Sequence, residues 1–269
     1  MSDPIDGASL ARWGELQGSR IRVQVLKQCA STNTHLLALA RAGAPHASAI
    51  VCEQQTQGRG RHGKTWISNP GQCLTFSLLW RFDSRLSRLA ALSLVVALAS
   101  VRALEAQGAV GIKLKWPNDL LFDGRKLGGI LVETFHQDDK TVAVIGIGLN
   151  VSHSRSLQDQ IDRSDTLFRH AVADLGEAGV RADRSAILVA LLGGVEAALE
   201  VFAAEGFAGV REEWLLRHAW QGRQVCLGSA DRVEAEGEAL GVAEDGALLI
   251  RSDGVVRAHY SGELSLRPV

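Results

Sequence analysis

The sequence predicts an α/β protein of the α+β kind: a larger mixed-sheet domain over residues 1–220, then a small β-barrel over residues 221–269. Up to His218, short β-rich runs alternate with helical stretches. From Gln221 the texture changes to five short strand-like runs, 223–227, 233–240, 247–251, 255–259 and 263–266, separated by turn residues such as Asp253-Gly254. Composition is that of a globular chain able to bury a full core, with 46% hydrophobic and 22% charged residues.

Residues 1–20 read as a lead-in with one helical turn around 8–16. Ile21, Val23 and Val25 then alternate with Arg22 and Gln24, the pattern of a half-buried strand. Ser31, Thr32 and Asn33 stand where this strand gives way to a helix that Gly43 and Pro45 close. Capping the helix and contacting a ligand both remain open for those three side chains. Residues 48–53 and 72–81 read as strands, and 85–105 as a long helix with a broad apolar face. Residues 111–122 read as one β region, turned back at Asp123-Gly124 into a partner strand over 125–133. The strand predicted over 141–151 carries Gly146 and Gly148, which would let another group approach its backbone. A polar surface loop over 152–164 follows, then helices over 169–177, 185–202 and 210–218.

The loop from Gln54 to Gly71 holds four glycines and the cations Arg59, Arg61 and Lys64, with no carboxylate. Glycine brings backbone N–H groups close to a ligand, and arginine forks suit phosphate or carboxylate oxygens. Residues 58–65 match G-x-x-x-x-G-K-T, and 58–63 match G-x-G-x-x-G. Both motifs need a helix directly after the loop, whereas Ser68-Asn69-Pro70-Gly71 is a turn signature. An anion-binding loop stands; the phosphate-loop and dinucleotide folds do not.

A net charge of −1 and a pI of about 6.7 confine any basic site to a local patch and argue against a dedicated nucleic-acid binder. Cys29, Cys52, Cys73 and Cys226 form no metal-like spacing and read as apolar fillers in a reducing compartment. The N-terminus lacks secretory-signal blocks, and the apolar run 89–101 is too short to span a bilayer. No membrane association and a cytoplasmic location are expected. The sequence has no G-x-S-x-G or H-E-x-x-H, so covalent catalysis by the enzyme has no support. Arg59, Arg61, Lys64, Lys115, Asn118, Asp119, Lys126 and Asn150 instead suit bringing a phosphate and a second anion together around Mg²⁺. Taken alone, Lys126 would be a solvated lysine at a hairpin end, and Asn118-Asp119 an Asx turn. Trp66 and Trp116 would be core residues.

Taken together, six blocks resemble the biotin–protein ligase family. They are Ser31-Thr32-Asn33, Gln55 through Gly63 with Trp66, Lys115-Trp116-Pro117-Asn118-Asp119, Lys126-Leu127-Gly128-Gly129-Ile130-Leu131, Gly146-Ile147-Gly148-Leu149-Asn150, and Gly262-Glu263-Leu264-Ser265-Leu266-Arg267. The resemblance covers the chain from about residue 27 onward. It implies an SH2-like catalytic domain followed by an SH3-like barrel. It also implies two half-reactions: biotin and ATP give biotinyl-5′-AMP and pyrophosphate, then the acyl group passes to a lysine of a biotin carboxyl carrier protein.

The resemblance further assigns roles. Lys126 and Arg59 would be catalytic. Ser31, Thr32, Asn33, Gln55, Gly58, Arg59, Gly60, Arg61, Lys126 and Gly129 would hold biotin and the adenylate. Lys64, Trp66, Lys115, Asn118 and Asn150 would contact ATP, while Asp119 and Asn150 would serve Mg²⁺. His62 departs from the pattern, standing where many relatives carry another arginine. The family's bifunctional members carry an N-terminal helix-turn-helix domain, which the roughly 20 leading residues could not supply; a monofunctional form without operator binding is expected, as a monomer or homodimer. Rival readings are a lipoate or octanoate ligase, a non-catalytic biotin or adenylate sensor, and a phosphate-loop ATPase.

Overall fold

The computed structural model describes residues 4–83, 91–152, 158–159, 171–229, 232–260 and 265–268. The order is α1 (Gly7–Gln17), β1 (Arg22–Cys29), α2 (Thr32–Arg41), β2 (Ser48–Gln55), β3 (Cys73–Phe82), α3 (Leu92–Ala106), β4 (Ile112–Lys115), β5 (Asp119–Phe122), β6 (Arg125–Gln137) and β7 (Lys140–Asn150). Then come α4 (Arg184–Glu205), α5 (Ala208–Arg217), β8 (Gln224–Ser229), β9 (Arg232–Val242), β10 (Leu248–Ser252), β11 (Val255–His259) and β12 (Ser265–Pro268). A seven-stranded sheet runs β1-β2-β3-β7-β6-β5-β4, and a separate five-stranded sheet runs β11-β10-β9-β8-β12. Among the described residues the β1–β2 ladder of the large sheet is parallel and its other strand ladders are antiparallel. The expected mixed sheet followed by a small all-β unit is the observed fold.

Strand parity explains the layering. Ile50, Leu79, Val142 and Val144 face α2, packing on Leu36 and Ala40. Their chain neighbours Val51, Leu78, Ala143 and Ile145 join the main core with α3 and α4. The sheet is therefore covered on both faces, as alternating apolar residues on each side demand. Helix α4 is long and apolar enough to cross a membrane by length and composition. It buries Ile187, Leu188, Leu191, Leu192, Val195, Leu199 and Phe202 and packs against α3. Trp116 in the core donates its indole N–H to Gly246 O at 2.9 Å, tying the two sheets' units together.

Several sequence expectations need correction. Helix α1 runs for 11 residues, because Asp6 caps its start at Ala8 N and Gly18 (φ 63°) closes its end. The β region over 111–122 is two strands, β4 and β5, broken at Trp116-Pro117-Asn118 into a hairpin of its own. The helix over 169–177 does not form across the described residues 171–177. There the backbone pairs beside β6 instead: Lys126 N donates to Ala171 O at 2.8 Å, and Ala173 N to Lys126 O at 2.9 Å. Tertiary pairing overrides local propensity at this point. Residues 85–90 of the long predicted helix, 153–157 and 160–164 of the polar loop, 169–170 of the next predicted helix, and Gly262-Glu263-Leu264 lie outside the described residues.

Candidate active site

The cavity forms where the apolar parity of the α2 face gives way to small and polar residues. Ile50, Leu79 and Val144 lead along their strands to Cys52, Thr75, Ser77, Gly146, Gly148 and Asn150 on the same side of the sheet. Asp119, Gly129, Gly148 and Thr75 stand opposite one another in one row across four strands, and Leu131, Gly146, Ser77 and Ile50 form the next. Above them lies a cavity of about 360 Å³, walled by the start of α2, the 54–71 loop and the β4–β5 hairpin. That volume lies within the roughly 300–1,000 Å³ usual for small-molecule sites.

Gly146 and Gly148 serve protein side chains. A Cβ at Gly146 would collide with the amide oxygen of Asn33, and one at Gly148 would lie 2.6 Å from Cε2 of Trp66. The group expected to approach this strand is therefore a pair of side chains. Gly58 does not line the cavity: a Cβ on it would lie 2.3 Å from Trp66 O, and its carbonyl accepts from Trp66 N at 2.9 Å. Ser31, Thr32, Asn33, Gln55, Arg59, Gly60, Arg61, Lys64, Trp66, Lys115, Asn118, Asp119, Lys126, Gly129 and Asn150 all line it, as does His62.

At one end, Ser31 caps α2 through Thr34 N (3.5 Å), and Gln55 Oε1 accepts from both Thr32 N (2.8 Å) and Thr32 Oγ1 (3.1 Å). Ser77 Oγ lies 2.8 Å from Thr32 Oγ1 and 2.6 Å from Asn33 Oδ1. Asn33 Nδ2 donates to Leu131 O (3.2 Å) and Glu133 Oε2 (3.0 Å). Capping thus falls to Ser31, while Ser31, Thr32 and Asn33 all line the cavity. Fixed amide and hydroxyl groups on an otherwise apolar wall of Phe76, Ile130, Leu131 and Ile147 suit an uncharged polar ring with an aliphatic tail.

At the other end, Lys126 Nζ lies 2.8 Å from Asp119 Oδ1, and Lys115 Nζ lies 3.7 Å from Asp119 Oδ2. Gly129 opposes Asp119 in the ladder; its hydrogen leaves space beside Asp119 Oδ1 and Lys126 Nζ. Lys126 Nζ also stands 6.0 Å from the Trp66 ring centroid, and Lys115 Nζ 5.6 Å from that of Trp220. One carboxylate thus orients two ammonium groups inside one cavity.

The glycine-rich loop folds on itself rather than entering a helix: Gly60 N donates to Lys64 O (2.7 Å) and Lys64 N to Arg61 O (3.1 Å). His62 (φ 54°) and Gly63 (φ 73°) take the left-handed conformations of the tight turn. Arg61 Nη1 donates to Asn118 Oδ1 at 3.3 Å, and burial lowers its guanidinium pKa, opposed by the Asp119 charge. Arg59 turns to Glu133, with Nη2–Oε1 at 3.1 Å. Sequence reasoning passed over Thr75, which lines the cavity, and over Ser77 and Glu133, which stand behind it bonded to the lining residues Thr32, Asn33 and Arg59; only strand parity shared with Gly129 and Gly148 marks that side of the sheet.

For a divalent metal, no group of three His, Cys, Asp or Glu side chains converges among the described residues. Asn150 Nδ2 is spent on Lys126 O (3.1 Å) and Ala173 O (3.0 Å), while its buried Oδ1 has no hydrogen-bond partner. An orphaned amide oxygen in a cavity wall fits a Mg²⁺ that brings most of its ligands as phosphate and water. The carboxylate of Asp119 is already neutralised by its lysines.

Fold and cavity define an enzyme of the acyl-ligase class, and the chain belongs to the biotin/lipoate A/B protein ligase family. Residues 25–150 match that family's profile, and residues 222–267 match the biotin protein ligase C terminal domain. The chain is 36% identical over 256 residues to the bifunctional ligase/repressor BirA of Escherichia coli K12, covering 94% of this chain and 76% of that protein. It is 34% identical over 250 residues to the biotin–[acetyl-CoA-carboxylase] ligase of Mycobacterium tuberculosis, covering 90% and 86%. Among solved structures, the biotin protein ligase from Aquifex aeolicus in complex with biotin and ATP superposes with a TM-score of 0.75 at 29% identity, covering 92% of this chain and 99% of that one.

Proposed function

We infer that the protein activates biotin with ATP and transfers it to a lysine of an acceptor protein. The observation that carries this is the placement of Lys126 Nζ in one cavity with the Thr32–Gln55 amide-and-hydroxyl end and the Arg61 loop. In the first step a biotin carboxylate oxygen attacks the α-phosphorus of ATP; the bond to the β-phosphate breaks and pyrophosphate leaves. Lys126 would draw carboxylate and α-phosphate together and meet the charge that grows between them. Lys115, Lys64 and Arg61 would neutralise phosphate oxygens, and Trp66 would face the nucleotide side. In the second step the acceptor lysine's neutral amine attacks the acyl carbon, the C–O bond to AMP breaks, and the amine proton is lost. No enzyme nucleophile is needed, in keeping with a cavity of cations and amides.

Ser31, Thr32, Asn33 and Gln55 would orient the biotin ring system, with Gly60 and Gly129 leaving room for the adenylate. ATP would enter with Mg²⁺, whose charge offsets that of the phosphates. The Asn150 amide oxygen would face it, and Asp119 would act chiefly by orienting Lys126 and Lys115. The acceptor we propose is a biotin carboxyl carrier protein, and residues 1–220 and 221–269 are proposed as the two domains. The free thiols of Cys29, Cys52, Cys73 and Cys226 support a cytoplasmic setting. Incubation with biotin, ATP, Mg²⁺ and a carrier domain should add one biotinyl group, at a single lysine, by mass spectrometry; an unmodified carrier would refute the acceptor assignment.

A further inference from the structure

The site must keep a reactive mixed anhydride until an acceptor arrives, and one carboxylate bonded to residues of the wall is not used by the chemistry above. Glu133 lies on β6 just beyond the cavity, two residues past the lining residue Leu131 and opposite Val144 on the α2 side of the sheet. Its two oxygens take both terminal nitrogens of Arg59, with Nη2–Oε1 at 3.1 Å and Nη1–Oε2 at 3.3 Å. The same Oε2 accepts from Asn33 Nδ2 at 3.0 Å, and Arg59 Nη1 also reaches Thr34 Oγ1 at 3.3 Å. Glu133 thus joins three parts of the cavity wall: the glycine-rich loop, the start of α2, and β6. Asn33 is fixed from its other side by Ser77 and sits in the space left by Gly146. The carboxylate is therefore anchored on the sheet side independently of the loop. Arg59 is half-exposed, at 47%, and Glu133 only 25% exposed, so the arginine is the solvent-side partner of the pair and the carboxylate the sheet-side one.

We propose that Glu133 is a positioning residue whose carboxylate clasps Arg59, holding the glycine-rich loop closed over the biotin end of the cavity and so retaining the adenylate. This rests on the biotin-activating reading above. In it, Arg59 acts through the closed loop, and the charge work at phosphate falls to Arg61, Lys64, Lys115 and Lys126. A forked, charge-assisted pair is the interaction whose loss speeds dissociation more than it slows chemistry.

The test measures two rates on the full chain: single-turnover biotinyl-AMP formation at saturating biotin and ATP, and release of preformed biotinyl-AMP into excess unlabelled biotin and ATP. Glu133→Gln should release the adenylate about tenfold faster, one charge-assisted hydrogen bond's worth, and raise KM for biotin, with formation changed far less. Arg59→Gln, at an exposed loop position, should likewise speed release; because Arg59 lines the cavity, the split between release and formation is read in Glu133→Gln. The exchanged pair Arg59→Glu with Glu133→Arg should recover slow release relative to either single change, which a merely structural role for Glu133 would not produce. Wild-type release rates in both single variants, or equal loss of formation and retention, would overturn the clasp. Failure of the wild-type chain to form any adenylate from biotin would instead overturn the functional reading beneath it.

Discussion

Lys126 on β6 reaches diagonally to Asp119 on β5 with Nζ 2.8 Å from Oδ1, and Gly129, the ladder partner of Asp119, lies beside the pair: a Cβ there would stand 3.3 Å from that oxygen and 3.5 Å from Nζ. A lysine alone in a cavity would lose rotamer freedom and carry its charge in an arbitrary direction. Here one carboxylate aims it, with Lys115 on the other oxygen.

Lys126→Ala should reduce biotin-dependent pyrophosphate release by about 10²–10³-fold, the scale of removing one preorganised charge donor. Biotin binding measured by calorimetry should fall much less. Equal losses in binding and turnover would place Lys126 in ground-state binding only.

Trp66 lies on Gly148 with no room for a methyl group between them. Gly148→Ala should displace the indole into the cavity, costing about 1–3 kcal/mol in denaturant unfolding and weakening ATP binding. An unchanged affinity for ATP would remove Trp66 from the nucleotide side of the site.

His218 is buried against Trp214, with ring centroids 5.0 Å apart, and burial depresses its pKa to about 4 from the ordinary 6.5. The folded protein holds this ring neutral, while the unfolded chain takes up the proton as pH falls through 6.5. Its contribution to stability is complete above that pH and is lost down to about pH 4. Linkage places the loss near 2–3 kcal/mol at pH 4.5. His218→Phe keeps a ring on Trp214 and should flatten the fall in unfolding free energy between pH 7 and 4.5; identical slopes would contradict the assignment.

Arg184 is almost wholly buried, with Nη1 2.7 Å from Glu53 Oε2, while Glu53 Oε1 accepts from Ile5 N at 2.7 Å. Glu53→Gln would remove this charge from beside the buried guanidinium, at a cost of about 1–3 kcal/mol in chemical unfolding. A loss under about 1 kcal/mol would mean that solvent reaches Arg184.

Chelation of Mg²⁺ should stop pyrophosphate release without preventing biotin binding. Asn150→Ala should raise the Mg²⁺ concentration needed for half-maximal rate, read by titration; an unchanged midpoint would exclude the Asn150 oxygen from the metal's surroundings.

Much of this was legible in the sequence because it is local. The Asp123-Gly124 hairpin, with both residues at positive φ, and the failure of a helix to follow Lys64 come directly from turn chemistry. The cavity-lining residues announced themselves as polar groups at strand ends. What stayed hidden depends on pairing between distant positions. Glu133 meets Arg59 across 74 residues and Glu53 meets Arg184 across 131, and no periodicity relates them. Gly146 and Gly148 signalled a close approach, yet their partners Asn33 and Trp66 emerge only from the ladder register. The segment 171–177 has helical composition and loses its helix to backbone bonds with Lys126.

The most direct measurement is pyrophosphate release by the purified chain with ATP and Mg²⁺ and either biotin, lipoate, octanoate or no acid, with mass analysis of the protein-bound product. Release with biotin alone, and biotinyl-AMP recovered on the protein, is the predicted result. Release driven by lipoate or octanoate, or release that needs no acid, would contradict it.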